Sequence, residues 1–162
     1  MKINLTIAEN IANKCFEKAK KINIPMSIAI IGNDGQLVHF KRMDGALPIS
    51  IELAPAKAYT AYSLRMTTEK LKTLTEPGEM LYGLDTSCEN IVIFGGGIPI
   101  KFNNEVIGAI GVSGGSVQED IKVAEFGVDF FVNRYTTNWF KQRGKKIGNK
   151  KRRVKQYCKS SN

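Results

Sequence analysis

From Thr6 to Ile22, apolar residues recur at Ile7, Ile11, Cys15, Phe16, Ala19 and Ile22, the spacing of one helix face. Thr6 is the expected N-cap, with Glu9 placed to close a capping box. The pattern changes after Pro25. Met26 to Ile31 is a short β-rich run, Asn33-Asp34-Gly35 is a hairpin signal, and QLVHFKRM alternates as the return strand. Past Asp44-Gly45 and Pro48, ISIELAPAKAYTAYSL predicts a second helix over Ile49 to Leu64 that Pro55 should kink or restart. Thr67 to Lys70 opens a short capped helix that stops before Pro77-Gly78, and Glu79 to Asn90 is irregular. Three strands are then expected: Ile91 to Phe94, Ile98 to Phe102 and Glu105 to Val112. Asn103-Asn104 is the turn between the last two. Ser116, with Glu119 three residues on, caps a final helix. Short turns rather than helical crossovers join the strands, so the fold class is α+β: a five-stranded, mostly antiparallel sheet flanked by helices.

Charge divides the chain where the pattern ends. The net charge is +9, yet all fifteen acidic residues lie at or before Asp129, beside thirteen Lys and Arg, for a net −2. From Phe130 onward there are eleven Lys and Arg and no acid, a net +11. Residues 1–132 are therefore one domain without an electrostatic footprint for nucleic acid. Residues 133–162 form a basic tail expected to be disordered, and contact with nucleic acid or an acidic partner is expected only through it. No apolar run is long enough for a membrane span, and no signal-peptide block precedes the first helix, so a cytoplasmic protein is expected. Cys15, Cys88 and Cys158 have neither disulfide-framework nor metal-finger spacing.

Seven glycines fall within Ile93 to Ser116. A phosphate loop is excluded, because Gly95-Gly96-Gly97 runs into Ile-Pro-Ile without the required Lys-Ser/Thr, between strands rather than before a helix. Gly114-Gly115-Ser116 does open a helix, and its amides could hold an anion. Gly95 to Gly97 suit either a strand reversal or one wall of a cleft against which a flat ligand lies. No nucleophile–base constellation is visible with a single histidine, so a non-catalytic role is favoured.

The segments HFKRMDGA, IELAPAKAYTAYSL, EPGEMLYGL, FGGGIPI and VIGAIGVSGGSVQED together resemble the GlcG/HbpS-like family. That family includes the C-terminal domain of PduO-type corrinoid adenosyltransferases, and this branch is the nearest in the SIELAPAKAYTA and LYGL stretches. The resemblance runs from Leu5 to Val132 and implies a profilin-like sandwich that assembles into homo-oligomers. It implies haem binding, or corrinoid binding, as an accessory of cobalamin-dependent propanediol utilisation. It does not bring adenosyltransferase chemistry, which belongs to a separate domain of the PduO proteins.

Under that reading the cofactor residues are His39, Arg42, Lys57, Gly95, Gly96, Gly97, Gly114 and Gly115. His39 is the candidate axial ligand, Met43, Met66, Met80 and Tyr82 are its substitutes, and Arg42 and Lys57 are partners for a propionate. Where some relatives carry a histidine in the first helix, this chain has Cys15 and lysines. Glu76 and Glu79 have an E-x-x-E spacing used for surface iron by some relatives. The alternatives are a small-molecule binding protein or enzyme of glycolate or diol metabolism, and an oligomeric scaffold without a cofactor.

Overall fold

The computed structural model describes residues 1–136. The chain divides into two units, residues 1–130 and 131–162. The described residues of the second are the last residue of a helix, Phe131, and a π-helical turn, Val132–Thr136; the basic tail expected from the charge pattern otherwise lies outside the described residues. The first unit is built from α1 (Leu5–Lys21), β1 (Ser27–Ile31), β2 (Leu37–Arg42), α2 (Ser50–Leu64), α3 (Thr68–Leu74), α4 (Leu84–Ser87), β3 (Gly97–Phe102), β4 (Glu105–Ser113) and α5, which runs over Val117–Phe131. The strands form one antiparallel sheet in the order β2-β1-β4-β3.

The turn chemistry folds as the residues dictate. Asn103 and Asn104 take φ of 51° and 68°, the left-handed pair that joins β3 to β4. Ser116 and Glu119 close a reciprocal capping box: the Ser116 amide donates to Glu119 at 2.8 Å and the Glu119 amide to Ser116 Oγ at 3.4 Å. At α1 the cap is Asn4 rather than Thr6. The Asn4 side chain accepts the Ile7 amide at 2.9 Å, a stronger capping group two residues earlier. Pro55 does not restart α2, which is continuous from Ser50 to Leu64 and ends on Arg65 at φ 56°.

The sheet has four strands, not five. Ile91 to Phe94 is irregular backbone, and its buried Val92 amide is satisfied by a side chain rather than by a ladder. Thr60 Oγ1 on α2 accepts the Val92 amide at 3.0 Å and donates to the Ala56 carbonyl of its own helix at 2.8 Å, with the Asn90 carbonyl farther off at 3.3 Å. Farther on, Thr68 Oγ1 accepts the Gly97 amide at 2.9 Å. Of the four apolar residues only Val92 is buried, and it is held without strand pairing.

Helices cover both faces of the sheet. Ala54, Ala58 and Ala61 of α2 pack with Ala29, Ile31 and Ala109, and Phe40 and Tyr62 close the edges of that cluster. Small residues let the backbones approach closely. At Gly111 a methyl group would strike the Ala54 carbonyl, so glycine is required where α2 crosses β4. The other face carries Ile28, Ile30 and Ile110 by strand alternation, all fully buried. On that side Gly127 of α5 lies against Cys15, Ile11 and Ile110. Burial pushes the Cys15 thiol up to about 12, so it is an inert core group.

Candidate functional site

Lys57 sits on the sheet side of α2 and is 1% exposed. Its ammonium donates to Asp120 Oδ2 at 2.7 Å and to the Val112 carbonyl at 3.1 Å, and lies 4.9 Å from the centroid of the Phe94 ring. Asp120, at the start of α5, also accepts the Gly115 amide at 3.0 Å. Gly96 adopts φ 117°, and a methyl there would come within 2.6 Å of the Val112 carbonyl and 2.9 Å of Lys57 Nζ. The glycine therefore makes room for the buried ammonium. Burial pushes the Lys57 ammonium below its usual range and the Asp120 carboxyl above its own, and the charge of each partner opposes the other's shift. This cluster joins α2, the turn before β3, the end of β4 and the start of α5 from within.

The structure brings Lys57, Gly96 and Gly115 together, but around Asp120 rather than around an open cleft. Gly95, Gly96 and Gly97 are all buried. The amides of Gly115 and Ser116, at the start of α5, are taken by Asp120 and Glu119. Gly114 is half-buried in the same turn. His39 lies elsewhere: it is half-buried on β2, opposite Ile30, on the sheet face away from α2. β2 and β3 are the two edges of the sheet, so His39 and Gly97 stand at opposite edges. Arg42 is exposed at the end of β2 and donates to the Ala46 carbonyl at 2.7 Å. Glu76 and Glu79 are exposed in one turn, where the Glu79 amide donates to the Glu76 carbonyl at 2.9 Å. No group of three or more metal-ligating side chains occurs among the described residues. Of the axial substitutes, Met43 Sδ accepts the Met26 amide at 3.4 Å and Met66 is half-buried, whereas Met80 and Tyr82 are 80% and 67% exposed.

An open concavity lies on the outer side of α2. Glu52, Pro55, Ala56 and Tyr59 meet Asn90 around a cleft of about 450 Å³, within the range of small-molecule sites. Tyr59 was not singled out by the sequence. α2 carries apolar residues on every side, so periodicity alone does not tell which of its aromatics face solvent. Its two tyrosines differ sharply. Tyr62 donates its hydroxyl to the Asn33 carbonyl, while the Tyr59 hydroxyl, in a residue 44% exposed, has no hydrogen bond among the described residues. No helix among the described residues is long and apolar enough to cross a membrane.

Comparison with known proteins gives these features a context. The 15.0 kDa protein of the dhaT-dhaS intergenic region of Citrobacter freundii is 42% identical over 130 residues, 80% of this chain and 92% of that protein. The corrinoid adenosyltransferase PduO of Salmonella typhimurium is 36% identical over 69% of this chain, but the match spans only 34% of PduO. Among solved structures, a PduOC:heme complex superposes with a TM-score of 0.76 at 32% identity, covering 78% of this chain and 93% of that one. Residues 3–129 match the family model described as haem degrading protein HbpS-like, and this chain belongs to the HbpS-like family.

Proposed function

We propose that this protein is a non-catalytic tetrapyrrole-binding domain, with haem as its ligand and a corrinoid as the second candidate. The observation that carries the reading is the likeness, at 32% identity over most of both chains, to a PduOC domain solved with heme. The matches to PduO and to the dhaT-dhaS region protein support an accessory role in cobalamin-dependent diol utilisation, and a cytoplasmic homo-oligomer belongs to the same reading. The profilin-like label for the sandwich belongs to the same reading.

The geometry contributes two surface donors, Met80 and Tyr82, of the kinds that ligate haem iron. The competing reading, an enzyme of glycolate or diol metabolism that grips an anion through Lys57, draws no support from that residue. Its ammonium is already held by Asp120. An absorbance titration of the purified chain with hemin, run in parallel with cobalamin, tests the proposal. A saturating Soret band is expected with hemin, and an unchanged hemin spectrum would overturn the reading.

A further inference from the structure

Helix α2 packs on the sheet with one side, yet its sequence is that of a helix covered all round. From Pro48 to Leu64 the chain carries two charged residues, Glu52 and Lys57, and Lys57 is buried inward against Asp120. The outward side of this 15-residue helix is left with a single charge. A surface helix carries charged and polar residues there, whereas a helix that is apolar on every side is a buried one. Leu47 and Ile49 just before the helix, and Ile51 and Tyr59 on it, are between 44% and 56% exposed. Ile51, Pro55 and Tyr59 recur every four residues, the spacing of one stripe along a helix. A contiguous exposed apolar stripe marks a surface that another molecule covers.

The polar groups of the stripe indicate what covers it. The Glu52 carboxylate and the Tyr59 hydroxyl both line the cleft, and neither has a hydrogen bond or ion pair among the described residues. The carboxylate is an acceptor and the phenol a donor. They stand about two helical turns apart, with the small residues Pro55 and Ala56 between them. Such a face is complementary to itself in reverse, because a second α2 laid antiparallel across it brings each tyrosine to the other's glutamate. Other occupants fit it less well. A dianionic ligand meets an acid and no cation, and a polycationic partner finds one acid only.

We propose that the outer side of α2 is a two-fold interface between two copies of this chain, in which each Tyr59 enters the other copy's cleft and donates its hydroxyl to the other copy's Glu52. This inference rests on the homo-oligomer reading and deepens it. A two-fold contact uses one patch twice, so both hydrogen bonds form together. Pro55 and Ala56 lie at the axis, where no long side chain holds the helices apart, and they form the floor on which the incoming ring packs. A tyrosine suits that place: its ring is a large rigid anchor and its hydroxyl finds a partner as it is buried.

Analytical ultracentrifugation of the full-length protein at high salt, which screens contacts made by the basic residues from Phe130 onward, tests the interface. Tyr59→Glu sets a carboxylate against the other copy's Glu52 and is expected to raise the dissociation constant of this contact about a hundredfold. Adding Glu52→Lys to Tyr59→Glu puts opposite charges across the axis and is expected to bring association back. Leu37→Glu, at an exposed apolar position on β2, is expected to leave the assembly unchanged. Circular dichroism verifies that each variant folds. An assembly that Tyr59→Glu leaves intact, that Glu52→Lys fails to restore, or that Leu37→Glu disrupts equally would overturn the α2 interface while the homo-oligomer reading stands. A wild type that sediments as a monomer would overturn both.

Discussion

At the scale of single residues, the decisive group is Lys57. A lysine on a helix otherwise lined with alanine is legible in the sequence as an anomaly, and it invites assignment to a ligand carboxylate. Its real partner, Asp120, is 63 residues away, and nothing local in either segment links the two. Removing one member of a buried pair leaves an uncompensated charge, so Lys57→Met is expected to lower stability by about 3–5 kcal/mol in urea unfolding. The double variant Lys57→Met with Asp120→Leu should recover most of that loss, and a double variant as unstable as the single would contradict the pairing. Glu119 behaves differently because it was readable: a serine three residues before it predicts the capping box that forms. Hydrogen bonds from the Ser116 hydroxyl and amide hold the Glu119 carboxyl below the usual glutamate range. Its contribution to stability is thus present above the ordinary glutamate pKa and is lost as pH falls through the lowered folded value. An NMR titration of Glu119 should show that depressed midpoint, and Ser116→Ala should move it back toward the ordinary range.

At the scale of elements, hairpins and caps were legible because their chemistry is local. Asn-Asp-Gly and Asn-Asn placed both turns, and Ser116 placed the start of α5. Ile91 to Phe94 reads as a strand in the sequence because an apolar run does not report its hydrogen-bond partner. That partner is Thr60, on a helix 32 residues earlier. Thr60→Val should leave the Val92 amide buried without an acceptor. The expected cost is about 1–3 kcal/mol, with faster hydrogen exchange at Val92, and exchange at the wild-type rate would refute the role given to Thr60. The glycines were equally half-legible. Their clustering announces bare backbone, but only the fold reveals that α2 and the Lys57 ammonium are what approaches it. Gly111→Ala forces a methyl against the Ala54 carbonyl and is expected to destabilise the fold by about 1–3 kcal/mol or more. A variant that unfolds at the wild-type denaturant midpoint would mean that α2 does not cross β4 so closely.

At the scale of the whole molecule, two features compete for a dianionic, apolar ligand such as haem. Residues from Phe130 onward carry a net +11 and would attract propionates at long range, whereas the preceding residues carry a net −2 and would hold the ring by apolar burial. The family resemblance suggests a tetrapyrrole ligand from sequence motifs alone. The cleft did not emerge from them, since it is made by Asn90 returning against the outer side of a helix with apolar residues on every side. The two modes of binding separate by ionic strength, because screening weakens attachment to exposed cations but not burial of an apolar ring. The most direct measurement is therefore a hemin titration of the full-length protein at low and at high salt. A saturable Soret band at one equivalent per chain, retained at high salt, is the result expected for haem held in the folded domain. A band that vanishes at high salt, or never saturates, would contradict it.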